Sequence, residues 1–272
     1  MHCGMMAAGN IGNRRKVKAV KIKVILLVVL ISLLVSNGCR TMQRTRNDAD
    51  SPSSAVEELI TTAHYSNGRP VPYILNYNNL SPRFIVILFP GGSGIVNPHM
   101  ENGLLIYNFG DNFLVRSRRY IVDEEFGTIT TDTTDSEERI QAILDDIHRR
   151  FPQAHVYLMG TSRGTIATMR LAGYLSDKIA GEIHTSSMSM ISSFDARKYK
   201  NRHLVVHHKY DGCRATPFGS AEYSHKKYGN ELIVMEGGVS SGDWCQSFAY
   251  HGYNGIESET ISSIKKWIKQ GG

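Results

Sequence analysis

The sequence predicts an α/β fold, a mostly parallel sheet with helices on both faces. From residue 70 onward, apolar strand-like runs alternate with amphipathic stretches, the pattern of parallel strands joined by covering helices. With 272 residues, 41% hydrophobic and 21% charged, the chain suits one large globular domain with a substantial core. No internal repeat and no second domain is visible.

Residues 1–38 read as a leader. The basic segment Arg14–Lys23 precedes twelve residues, Val24–Val35, that are apolar except for Ser32. That run has the length of a signal-peptide core and falls short of the ~20 residues needed to span a bilayer. Ser36-Asn37-Gly38-Cys39 follows, and Gly before Cys resembles the bacterial lipoprotein signal, in which the Cys is lipidated and becomes the new N-terminus. Ser36 departs from that signal, which usually has Leu there. Cys39 is the expected lipidation site, with plain secretion or an uncleaved anchor as alternatives. Residues 39–69 are expected to be a tether and lead-in, because 40–55 is polar throughout its length apart from isolated small or apolar residues.

Residues 70–272 are expected to fold. Strands are predicted at Val71–Tyr77, Phe84–Phe89, Thr128–Thr131, His155–Met159, Gly181–Thr185, Leu204–His208 and Leu232–Glu236. A helix over Glu137–Phe151 carries Ile140, Ile143, Leu144, Ile147 and Phe151 on one face, with Thr134 and Glu137 as a capping box. Another helix should follow Gly164. A last one presents Ile261, Ile264, Trp267 and Ile268 on one face, with early Glu257 and Glu259 and late Lys265, Lys266 and Lys269 matching the helix dipole.

The net charge of +6 does not imply a nucleic-acid partner. Arg14, Arg15, Lys16, Lys18, Lys21 and Lys23 in the leader account for all of it, leaving 25 basic against 25 acidic residues in the remainder. Beyond Cys3 and Cys39, the folded part holds only Cys213 and Cys245. In an exported domain such a pair favours a disulfide over two free thiols. No Cys-x-x-Cys or His-Glu-x-x-His spacing is present, so no metal and no cofactor is expected.

The chemistry centres on Gly160-Thr161-Ser162-Arg163-Gly164, placed between the run His155–Met159 and a helix. Gly-x-Ser-x-Gly in that context is a nucleophile elbow, which makes Ser162 the candidate nucleophile. A serine hydroxyl needs a base to take its proton, and the base needs a carboxylate to orient it. Asp211 is the acid candidate, just past the strand ending at His208; Asp195 is the runner-up and Asp243 the third choice. His251 is the base candidate, between the last strand and the last helix. His207 and His208 adjoin Asp211, so one is expected to be buried and the other to support the acid. His148 falls on a surface helix and His184 on a strand. For the oxyanion, the backbone N–H of Arg163 and that of Gly92, in the loop Pro90-Gly91-Gly92-Ser93-Gly94, are the candidate donors.

These segments together resemble the α/β-hydrolases from about residue 70 to the end. Asn112-Phe113-Leu114-Val115-Arg116-Ser117, His207-His208-x-x-Asp211-x-Cys213 and His251-Gly252-Tyr253-x-Gly255-x-Glu257 are similar to a bacterial branch of that family. The resemblance implies a Ser-Asp-His hydrolase of carboxylic esters, acting on a small-molecule or polymeric ester. It also implies a disulfide between Cys213 and Cys245, tying the acid loop to the base loop. Phe89-Pro90-Gly91-Gly92 departs from the His-Gly-Gly-Gly loop of common esterases. Many family members insert a helical lid between the strands near Ile183 and Leu204; the short stretch Ser186–His203 leaves little room for one. Arg116 and Arg118 are expected in structural ion pairs rather than in substrate steering. The same machinery also serves peptidases, amidases and acyltransferases, and a non-catalytic envelope lipoprotein is the remaining alternative. A monomer is expected, held at the membrane by the N-terminal lipid.

Overall fold

The computed structural model describes residues 56–271. The leader, Cys39 and residues 40–55 lie outside the described residues. The elements run β1 (Glu57–His64), β2 (Pro70–Tyr77), β3 (Phe84–Phe89), β4 (His99–Glu101), β5 (Leu104–Ile106), α1 (Phe113–Ile121), β6 (Phe126–Thr130), α2 (Glu137–Arg150), β7 (His155–Thr161), α3 (Gly164–Leu175), β8 (Gly181–Thr185), β9 (Arg202–His208), α4 (Phe218–Tyr228), β10 (Glu231–Met235) and α5 (Glu257–Lys269). Eight strands form one sheet in the order β1-β2-β6-β3-β7-β8-β9-β10, while β4 and β5 make a separate hairpin. From β6 to β10 every neighbouring pair is parallel; β2 alone runs against its neighbours on both sides.

The central strand β3 shows why the sheet is covered twice. All six of its residues are buried. Ile85, Ile87 and Phe89 join a core with Ile140, Ile143, Leu144 and Ile147 of α2 and Leu171 and Leu175 of α3. Phe84, Val86 and Leu88 join a second core with Phe113 and Leu114 of α1 and Ile261, Ile264, Trp267 and Ile268 of α5. A strand apolar on both sides needs helices on both faces, and burial of that area is the main driving force for this arrangement. A third cluster, with Met169, Ala172, Ile191, Phe194 and Val205, extends the first face toward α4.

Local sequence explains most boundaries. α2 starts with Ser136 accepting from the Arg139 amide, and its first turn holds Glu137 and Glu138. Thr134 is therefore not the cap; its hydroxyl accepts instead from the Ser136 amide and closes the preceding turn. α4 stops at Gly229, whose φ of 71° satisfies the left-handed C-terminal turn. The sheet begins earlier than the lead-in reading of residues 39–69 suggests, because Glu57–His64 pairs along the whole of β2 as an edge strand. Between β8 and β9 there is no lid, only two short 3-10 turns at Ser189–Ser193 and Ala196–Lys198. Among the described residues, no helix is long and apolar enough to cross a membrane.

Candidate active site

The elbow is a consequence of two close backbone approaches. β7 ends at Thr161 and α3 begins at Gly164, so the chain reverses across Ser162 and Arg163. A Cβ on Gly164 would stand 2.3 Å from the Phe89 carbonyl oxygen, and one on Gly160 would stand 2.9 Å from Gly164 backbone. Only glycine fits at either position. Ser162 between them has φ of 51°, a left-handed conformation that costs a non-glycine residue roughly 1–3 kcal/mol. The turn is held by the Ser162 amide donating to the Thr185 carbonyl at 3.1 Å and by Thr165 Oγ1 donating to the Ser162 carbonyl at 2.6 Å.

Asp211 and His251 arrive from loops after β9 and β10. His251 Nδ1 donates to Asp211 Oδ2 at 2.9 Å, which leaves the opposite ring nitrogen, Nε2, as the one available for proton transfer. The same carboxylate oxygen accepts from Thr216 Oγ1 at 3.0 Å and lies 3.2 Å from His207 Nε2, while Oδ1 accepts from the Cys213 amide at 2.9 Å. Burial alone opposes a charged Asp211. Hydrogen bonds from His207, His251 and the Cys213 amide, with the His251 charge, more than offset it and hold the carboxyl well below the usual carboxylate range.

His251 is fixed from behind. Ser186 Oγ donates to the His251 carbonyl at 2.7 Å, and the fully buried Tyr253 donates to the Val206 carbonyl at 2.8 Å. Arg116 reaches from α1 to donate to the Ser247 carbonyl at 3.0 Å and the Gly252 carbonyl at 2.6 Å, and pairs with Glu257 at 2.9 Å. Arg116 thus ties the Asn112–Ser117 segment to the His251–Glu257 segment, two of the three singled out in the sequence. Arg118 pairs with Glu58 and donates to Tyr107 Oη. Both arginines are structural. A disulfide joins Cys213 to Cys245, bridging the acid loop to the segment before His251.

Ser162, His251, Gly91 and Gly92 line one cavity of about 220 Å³, together with Phe109, Phe113 and the Cys245–Ser247 segment. Larger depressions exist, of about 670 Å³ along α5 and about 460 Å³ beside Tyr107 and Arg118. Neither brings a serine to a histidine–carboxylate pair, so the smaller cavity is the chemically equipped one. Among the described residues, the amides of Gly92 and Arg163 donate to no protein acceptor. Arg163 itself lines an adjoining depression with Pro90, Gly92, Ser93 and Thr133.

The other sequence candidates fall elsewhere. Asp195 pairs with Arg197 and accepts from its amide, and Asp243 is exposed; neither meets His251. His207 and His208 are both fully buried, and it is His207 that faces Asp211 while His208 donates to the Gly237 carbonyl at 2.9 Å. Thr216, which touches both Asp211 and His251, was not singled out from the sequence. A lone threonine five residues beyond an acid carries no local signal.

No family profile matches the sequence, and no curated protein matches it. Solved structures do resemble it. Est1E from Butyrivibrio proteoclasticus matches with a TM-score of 0.55 at 17% identity, over 78% of this chain and 98% of that one. XC6422 from Xanthomonas campestris, an α/β serine hydrolase without a lid, gives 0.52 at 13% identity over 78% and 97%. A serine hydrolase homologue from Coxiella burnetii gives 0.52 at 14% identity over 77% and 96%. At these identities the likeness is one of architecture, and with the mostly parallel sheet and the lidless crossover described above it establishes that this chain has the α/β-hydrolase fold.

Proposed function

We propose that this chain is a serine hydrolase that cleaves carboxylic esters with Ser162 as nucleophile, His251 as base and Asp211 as the orienting acid. The observation that carries the reading is the convergence of a strained elbow serine and a histidine–aspartate pair on one cavity. In the mechanism, Ser162 Oγ attacks the ester carbonyl carbon as His251 Nε2 takes its proton. The Gly92 and Arg163 amides stabilise the oxyanion of the tetrahedral intermediate. Its collapse expels the alcohol, which takes the proton from His251 Nε2, and leaves an acyl-serine. Water, deprotonated by the same nitrogen, attacks the acyl carbon, and Ser162 recovers its proton. Asp211 stays ionised throughout and stabilises the imidazolium, a role suited to its depressed pKa.

A small cavity of about 220 Å³ with no lid between β8 and β9 suits accessible esters with a small acyl group, including esters on a polymer. The similarity to serine hydrolases of the same architecture supports the reaction class. The disulfide and the leader support an exported protein, with Cys39 as the lipid attachment point. A fluorophosphonate probe tests the enzyme reading: a single adduct on Ser162 is expected, and a folded chain that takes no label refutes it. Comparison of matched ester and amide substrates then separates an esterase from a peptidase or amidase.

A further inference from the structure

The cavity that holds Ser162 and His251 continues into a second depression of about 300 Å³. The two share Phe109 and Asn112 on one side and Gln246 and Ser247 on the other. Asp111 and Phe248 complete the second depression. These walls decide which arm of an ester enters it. His251 protonates the alcohol oxygen as it leaves, so the alcohol lies on the His251 side of the carbonyl carbon. Gln246, Ser247 and Phe248 belong to the loop between β10 and α5 that carries His251. The depression on the other side, with Ser93, Thr133 and Arg163, adjoins the oxyanion donors instead.

Two aromatic rings stand open there. Phe248 is 45% exposed, and the Arg116 guanidinium sits over its ring, 5.4 Å from the centroid. Arg116 is itself clamped by Glu257 and by the Ser247 and Gly252 carbonyls, so the Phe248 ring is braced in place. Phe109 has φ of 64°, a left-handed conformation that is costly for a bulky side chain. Loop bonds hold it: the Asn108 amide donates to the Val96 carbonyl and the Asn112 amide to the Phe109 carbonyl, both at 2.8 Å. Strain of this kind collects where side chains meet ligands.

Polar groups with spare hydrogen-bonding capacity surround the rings. Asp111 and Ser247 meet Arg116 through their carbonyls and Gln246 bonds through its backbone, so among the described residues their side chains have no protein partner. Asn112 uses its side-chain oxygen on the Leu114 amide and keeps its NH₂ free. Together they offer a carboxylate, a hydroxyl and two amides. An alkyl alcohol would use none of these. A ring bearing several hydroxyls answers both sets of groups. Each hydroxyl donates and accepts, and the C–H face of the ring complements the negative face of an aromatic side chain. We propose that this depression is a subsite for one sugar unit, and that the alcohol of the ester is a carbohydrate hydroxyl. The proposal rests on the ester-hydrolase reading above and names its substrate class as O-acylated carbohydrate.

The test compares O-acetylated methyl xyloside and methyl glucoside with butyl acetate, which carries the same acyl group. At least one sugar acetate is expected to exceed butyl acetate in kcat/KM by about tenfold or more. Phe248→Ala should lower that ratio by about tenfold, mainly through KM, and Phe248→Trp should keep it. Gly110→Trp puts a ring into the depression from a position where a Cβ meets nothing within 4 Å, and should lower the ratio as well. That variant decides should Phe248→Ala not fold. A wild type that hydrolyses butyl acetate as well as both sugar acetates overturns the proposal, as does a ratio unmoved in the folded variants. Fluorophosphonate labelling separates the two readings: a Ser162 adduct without sugar preference overturns the subsite alone, and no adduct overturns both.

Discussion

Reducing the Cys213–Cys245 disulfide perturbs stability and the proposed catalytic geometry together. The two cysteines are 32 positions apart, so the bond closes a loop of 33 residues that contains α4 and β10. In the chain-entropy treatment, opening a loop of that size releases about 12 cal/mol/K to the unfolded chain, or about 3–4 kcal/mol at room temperature. For a domain of this size, each kcal/mol moves Tm by roughly 2–4 °C, so the expected fall is roughly 7–15 °C. Cys213 also lends its amide to Asp211, and Cys245 lines the cavity beside His251, so reduction should lower kcat as well. The assay is a thermal melt with and without reductant, on wild type and on the Cys213→Ser/Cys245→Ser double variant, alongside ester turnover. Reductant should shift wild type down to the variant and leave the variant unmoved. Equal melting temperatures for oxidised and reduced wild type, with bond cleavage verified by thiol titration, would refute the reasoning.

Other outcomes follow from the site. Ser162→Ala should lower short-ester turnover by about 10⁴-fold or more, measured with an activated ester, while leaving the melt in place. Gly164→Ala places a Cβ against the Phe89 carbonyl and should cost at least about 1–3 kcal/mol in urea denaturation. Arg116→Ala frees the Ser247 and Gly252 carbonyls from their clamp and should lower kcat by about tenfold with little change in KM; Arg116→Lys should recover only part. Asp211 has a folded pKa below its unfolded value. Its contribution to stability is therefore present above about pH 4 and lost as pH falls through the folded pKa. An acid-unfolding series should show Asp211→Asn with a shallower loss of stability below pH 4 than wild type.

What was readable in the sequence was whatever is encoded locally. The elbow is five consecutive residues whose glycines answer to backbone contacts, and β3 and α2 declare themselves by unbroken or 3.6-spaced apolar residues. β1 was missed because Glu57–His64 is a half-exposed edge strand in which charged and polar residues break the alternation. α1 was missed because Arg116, Arg118 and Arg119 dilute its apolar face, although that face carries Phe113, Leu114 and Ile121 into the core. Asp211 and His251 are candidates from chain order and from their places beyond strands, and the fold brings them within hydrogen-bonding distance of each other. The Thr216 and His207 contacts with Asp211 depend on loop closure. No window of sequence holds either.

The direction of β1 has a consequence for how the molecule presents itself. β1 opposes β2 and β2 opposes β6, so β1 runs the same way as the strands that deliver Ser162. Through the ladders, Ile60 is level with Met159, which puts Glu57 near the start of β7 and at the far end of the sheet from the elbow. The polypeptide therefore joins the domain at the pole opposite the cavity. A linkage made just before β1 would therefore sit at the end of the sheet away from the cavity mouth and leave that mouth unobstructed.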